Sequence, residues 1–128
     1  MAMAESTGKT VLIVEDNAVN LELVTDLLAV AGYRVVTATT APAGIRLAQT
    51  VRPDLVLMDV SLPGMDGLQA TRRLKEDPAT AAIPVVAVTA QAMAGDKERA
   101  LAAGCVGHIT KPIDTRQFAG QVAEYMTR

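Results

Sequence analysis

Five residues in this chain have side chains that could do chemistry together: Glu15, Asp16, Asp59, Thr89 and Lys111. Each ends or follows a short apolar run. Asp59 closes Leu55-Val56-Leu57-Met58, and Glu15-Asp16 closes Val11 to Val14. Neighbouring strands lie about 4.8 Å apart, so acids at the ends of two adjacent strands would crowd one pocket. A divalent cation relieves that repulsion, and an all-oxygen site with few protein ligands suits Mg2+, with Mn2+ a second hard-ligand candidate. Asp59 is the candidate nucleophile, because a carboxylate attacking phosphorus forms an acyl phosphate. Such a transfer needs positioning and charge neutralisation above all. The cation and the Lys111 ammonium would supply positive charge, and the Thr89 hydroxyl could donate to a phosphoryl oxygen. Ala90 is small enough to leave that position reachable. Lys111 precedes Pro112, and an X-Pro bond can be cis and aim the side chain before it. Taken singly, each residue has a plainer role: a turn acid, a solvated strand end, a strand-end threonine, a turn lysine. The chemistry lies in their combination.

The elements that must position these residues are legible as period and punctuation. Val11 to Val14, Leu55 to Met58 and Val85 to Val88 are unbroken apolar runs, as expected of parallel strands covered on both faces. Arg34 to Ala38 and Val106 to Thr110 add two more. Between them lie helical periods. Asn17 is a candidate N-cap for a first helix with Val19, Leu23, Val24, Leu27, Leu28 and Ala31 inward, stopped by Gly32. Thr40 caps a second helix, with Ala41, Ile45 and Ala48 inward and Pro53 after its end. A third runs from about Asp66 to Glu76, with Leu68, Thr71 and Leu74 inward, and breaks at Asp77-Pro78. A fourth covers about Ala94 to Ala103, stopped by Gly104. Asp114 caps a fifth, with Phe118, Val122 and Tyr125 on one face. Alternating strands and helices predict an α/β doubly wound five-stranded parallel sheet. In the flavodoxin-like order 2-1-3-4-5, strands one and three are neighbours, and sites form beyond the carboxyl ends of the strands.

The remaining features narrow the function. A chain of 128 residues is one domain, and with half of them hydrophobic it can build a core without staples. The formal charge of -2 gives no electrostatic reason to bind nucleic acid or an anionic membrane. Only three aromatic residues, Tyr33, Phe118 and Tyr125, are present, so a base-stacking surface is not expected. Cys105 is the single cysteine, which fits a reducing compartment. No run approaches the roughly 18 apolar residues of a membrane span, and no signal peptide is evident, so a cytoplasmic location is expected. Residues 1–9 read as a disordered lead and residues 10–127 as the domain.

Taken in order, Val11 to Asn17, Pro53 to Asp59, Leu62-Pro63-Gly64-Met65-Asp66-Gly67, Val88-Thr89-Ala90 and Lys111-Pro112 resemble the receiver domain of two-component response regulators. Within that family the chain is most similar in appearance to DivK-type regulators and to receivers of hybrid histidine kinases. The resemblance implies that Asp59 is phosphorylated. It implies Mg2+ held by Asp16, Asp59 and the main-chain carbonyl of Ser61, with Glu15 completing the acidic pocket. Thr89 and Lys111 would contact the phosphoryl group, and the bond to Pro112 would be cis. It also implies a histidine kinase or histidine phosphotransferase as donor and no enzymatic activity beyond the domain's own phosphorylation and dephosphorylation. The target would be a protein bound on the face of helix four, strand five and helix five. Because the sequence ends where a receiver ends, a stand-alone switch in a two-component system or phosphorelay is expected.

The chain departs from the family pattern at His108, where the family usually has Tyr or Phe as a rotameric switch. His108 is either that switch with a titratable ring or an edge histidine without a switching role. Ser61 and Gln91 stand two residues after Asp59 and Thr89, and the resemblance implies that these positions tune water access to the acyl phosphate. Rival readings fit less well. A dehalogenase-type phosphatase needs a second Asp where Ser61 stands, and a nucleotide site after strand one would meet the acidic Glu15-Asp16-Asn17. The alternative that survives is a degenerate receiver acting as a phosphorylation-independent binding module.

Overall fold

A computed structural model describes residues 6–62, 64–90 and 95–126. The elements alternate as β1 (Thr10–Val14), α1 (Ala18–Val30), β2 (Arg34–Ala38), α2 (Ala41–Val51), β3 (Leu55–Asp59), α3 (Gly67–Glu76), β4 (Val85–Thr89), α4 (Asp96–Ala103), β5 (Gly107–Thr110) and α5 (Phe118–Met126). The five strands form one parallel sheet in the order β2-β1-β3-β4-β5. This is the doubly wound, flavodoxin-like arrangement the alternation predicts. β3 is central, and all five of its residues are buried.

Strand side chains alternate between two cores, which is why the buried runs show no polar phase. Leu12, Val14, Val56, Met58, Val85 and Ala87 pack on one face with α2 and α3, joined by Ala100 of α4. Val11, Ile13, Leu55, Leu57, Val86, Val88 and Ile109 pack on the other with Val24 and Leu28 of α1 and Phe118 and Val122 of α5. The same alternation assigns the strand ends to faces. Asp59 continues the phase of Leu55 and Leu57, toward α1 and α5. Thr89 and His108 continue the phase of Val85 and Ala87, toward α3 and α4.

Local signals set the helix boundaries. Asn17 accepts a hydrogen bond from the N–H of Asn20 at 3.0 Å and caps α1. Thr40 does the same for α2 with the N–H of Ala43 at 3.3 Å. Asp66 stands before α3 as its N-cap rather than in its first turn, and forms a capping box with Gln69. Gly32 and Gly104 take positive φ where α1 and α4 end.

Several details of the elements differ from expectation. Val19 is 76% exposed rather than inward. It lies about 140° round the helix from Val24, so the two cannot share the buried stripe. α4 begins at Asp96 behind Gly95, and residues 91–94, including the expected start at Ala94, lie outside the described residues. β5 starts at Gly107, one residue later than expected. Asp114 accepts from the N–H groups of Arg116 and Gln117 in a turn that leads into α5, whose helix proper starts at Phe118. In the segment expected to be a disordered lead, the Thr7 N–H donates to the Gly32 carbonyl and the Lys9 carbonyl accepts from the Arg34 N–H, each at 2.9 Å. Residues 1–5 lie outside the described residues.

Candidate functional site

The carboxyl ends of β1, β3, β4 and β5 meet at one end of the sheet. Adjacent pairing of β1 with β3 brings Glu15 and Asp16 beside Asp59. One carboxylate oxygen from each lies within 4.8 Å of the others. Glu15 and Asp59 are buried, whereas Asp16 is exposed. Asp59 Oδ1 accepts the Ser61 N–H at 2.9 Å, which fixes the carboxylate against the loop that follows. Glu15 Oε2 accepts the Asn17 N–H at 3.2 Å.

Lys111 supplies the cation. Its Nζ lies 2.8 Å from Glu15 Oε1 and 3.4 Å from Asp59 Oδ2. Its main-chain N–H donates to the Thr89 carbonyl at 2.7 Å, so β4 sets where Lys111 leaves the sheet. The Lys111–Pro112 bond is cis. Thr89 is the last residue of β4 and half-buried, and Ala90 after it is exposed. His108 is half-buried on β5 with Ala87 as its strand partner. Ser61 is exposed, and Gln91 lies outside the described residues.

The electrostatics follow from burial and crowding. Burial pushes the Glu15 carboxyl above its usual range, and its hydrogen bond with Asp59 adds to this, against the Lys111 contact. Burial acts upward on Asp59 too, but the hydrogen bonds from Glu15 and Ser61 and the Lys111 charge outweigh it, and its carboxyl sits below the usual range. Burial disfavours the Lys111 ammonium, but its bond to Glu15 and the charge of Asp59 outweigh that and raise its pKa.

The donor set fits a hard divalent cation. It consists of carboxylates alone, with neither sulfur nor imidazole. Fully ionised, three carboxylates against one ammonium leave two negative charges, which a divalent ion balances. Under the acids lies a small apolar cavity lined by Ile13, Val24, Leu57, Val88, Ile113 and Phe118. These walls limit water on the α1 and α5 side of the carboxylates.

The sequence places Lys111 at the phosphoryl group, and does not show that its nearest acid is Glu15 rather than Asp59. Glu15 and Lys111 are 96 positions apart and follow the nonadjacent strands β1 and β5, and no linear spacing could have signalled the pair.

These features define an acidic pocket closed by one lysine at the carboxyl end of a doubly wound sheet, and the comparisons name its family. The chain belongs to the response regulator receiver domain family, whose model matches residues 11–123. It is 43% identical over 118 residues to the polar-differentiation response regulator DivK of Brucella anthropi, covering 92% of this chain and 96% of that protein. The receiver domain of a sensor histidine kinase from Pseudomonas aeruginosa PAO1 superposes with a TM-score of 0.86 at 32% identity, covering 94% of this chain and 98% of that one. That domain has a magnesium ion coordinated in its active-site cleft. A response regulator from Chloroflexus aurantiacus superposes with a TM-score of 0.88 at 29% identity, over 94% of this chain and 98% of that one. Members of the family are signalling proteins of two-component systems. Among the described residues, no helix is long and apolar enough to cross a membrane.

Proposed function

We propose that this domain accepts a phosphoryl group on Asp59 from a histidine kinase or histidine phosphotransferase and thereby changes its affinity for a protein partner. The observation that carries this reading is the Asp59 carboxylate itself. It is buried at the end of the central strand, held by the Ser61 N–H on one oxygen and faced by Lys111 on the other. Asp16, Asp59 and the main-chain carbonyl of Ser61 would hold Mg2+, with Glu15 at its side. When bound, the ion supplies charge neutralisation for the transferring group. Asp59 attacks phosphorus in line, an O–P bond forms, and the donor's P–N bond breaks with its electron pair leaving on the imidazole. Lys111 turns from the carboxylates toward the phosphoryl oxygens, and the Thr89 hydroxyl donates to another. The conformational shift is limited by the difference in these contacts between the two states. It reaches the partner through the face of α4, β5 and α5, where Leu101 and Val106 are exposed and His108 is half-buried.

Intact mass after incubation with acetyl phosphate or phosphoramidate and Mg2+ tests the reading. A gain of one phosphoryl group, lost in Asp59→Asn, supports it. No adduct with any donor and no Mg2+ binding would favour a phosphorylation-independent binding module.

A further inference from the structure

Gly67 opens α3, yet glycine is a poor helix former, about 1 kcal/mol worse than alanine within a helix. A packing reason is therefore expected. A Cβ built on Gly67 would lie inside contact distance of the Asp59 carbonyl oxygen, 2.8 Å from the Asp59 carbonyl carbon and 2.9 Å from Met58 Cγ. The first two are backbone atoms of the phosphoacceptor and cannot swing aside as a side chain would.

The helix has little room to yield either. The Asp66 carboxylate accepts the N–H groups of Leu68 and Gln69 at 2.9 Å each, and Gln69 accepts the Asp66 N–H at 3.2 Å. The buried Thr71 hydroxyl donates to the Gly67 carbonyl at 2.8 Å. The Gly67 N–H points back to the Val60 carbonyl at 3.4 Å. The start of α3 is thus tied down on three sides against the peptide that carries Asp59.

We propose that Gly67 is a positioning residue for Asp59. Its bare Cα lets the capped start of α3 sit against the Asp59 peptide and hold the carboxylate in register with the Ser61 N–H and Lys111. The inference rests on the reading of Asp59 as the phosphoacceptor. A side chain at 67 would have to displace the peptide by about an ångström to reach ordinary contact, and in-line transfer is sensitive to shifts of about that size.

The test compares Gly67→Ala with Gly107→Ala, whose Cβ would meet the Tyr125 ring at 2.5 Å at the far end of β5 from Lys111. Both are measured at a temperature where circular dichroism shows them folded. Phosphorylation by phosphoramidate with Mg2+ should slow by about ten- to a hundredfold in Gly67→Ala. Hydrogen-exchange protection of the Ser61 amide should fall about tenfold. Gly107→Ala should keep both. Wild-type rate and Ser61 protection in Gly67→Ala would overturn the proposal, as would an equal loss in Gly107→Ala. If Gly67→Ala does not fold, Thr71→Val, which removes the side-chain bond to the Gly67 carbonyl and leaves the helical one, should lower Ser61 protection in the same direction, and unchanged protection overturns the idea. A wild-type protein that takes no phosphoryl group would refute the reading of function, while the Ser61 amide would still decide the positioning.

Discussion

The Lys111 ammonium stands nearer to Glu15, at 2.8 Å, than to Asp59, at 3.4 Å. One cation thus holds two buried acids that would otherwise repel. Replacing it with an uncharged side chain of similar length, Lys111→Met, leaves the pair to share a proton or take up a metal ion. A loss of about 1–2 kcal/mol is expected without metal, less than the roughly 3–5 kcal/mol of a fully buried pair, because solvent reaches the ammonium. Added Mg2+ should restore more of the melting temperature in the variant than in the wild type. Thermal melts with EDTA and with Mg2+ measure both effects. Phosphorylation of the variant should slow by about a hundredfold, the scale of losing one preorganised charge.

His108 and Thr89 extend toward the same side of the sheet, two residues apart in register: Ala87 pairs with His108, and Thr89 with Thr110. A Thr89 drawn toward a phosphoryl group would leave space on the α4 side that the ring at 108 could enter. His108→Tyr should therefore leave phosphorylation of Asp59 within about twofold of the wild type, since the ring lies on the opposite face from the Glu15–Lys111 pair. Partner affinity should change in at least one phosphorylation state. Titration of phosphorylated and unphosphorylated protein against the partner measures this, and identical affinities in both states would remove the switching role.

The sheet was legible because β1, β3 and β4 are buried on both faces and read as unbroken apolar runs, and because Asn17, Thr40, Gly32 and Gly104 punctuate the helices in the expected places. The acidic pocket was legible for the same reason: a strand end is a fixed point, and the strand order makes Asp16 and Asp59 neighbours. Val19 was misplaced because a helix rich in apolar residues offers more than one stripe, and only packing chooses among them. The Glu15–Lys111 contact and the seat of Gly67 against Asp59 depend on side-chain reach and backbone approach across the fold, which periodicity does not encode.

Arg52 is the only non-glycine residue at positive φ among those described, with φ 51° at the C-cap of α2. Its N–H closes the helix onto the Ala48 carbonyl at 3.1 Å, a bond that a glycine in the same left-handed turn would keep, while the side chain adds only a distant charge to exposed Asp77. A left-handed conformation costs an L-residue with a Cβ roughly 1–2 kcal/mol. Glycine avoids that cost but loses more entropy on folding, so Arg52→Gly should stabilise by about 0.5 kcal/mol. That corresponds to an increase of roughly 2 °C in a thermal melt, with Mg2+ binding unchanged.

Asp77 ends α3 and ties it to α2. Its carboxylate accepts the Ala79 N–H at 2.9 Å and the Gln49 side-chain amide at 3.0 Å. These two bonds, the backbone one first, hold its carboxyl below the usual range although it is solvent-exposed. Depressed in the folded state, the group contributes stability that is fully present above its unfolded pKa of about 3.9 and is lost as pH falls through the lower folded value. Gln49→Ala removes one donor and should move the Asp77 pKa back toward the unfolded value. The variant should then lose part of the stability difference between neutral and acidic pH, while near pH 3 it should approach the wild type. Carboxylate NMR titration of Asp77 reads the shift directly, and denaturant melts across the acid range read its consequence. An Asp77 titration unaltered by Gln49→Ala would show that the Ala79 N–H and the Arg52 charge set it without the amide.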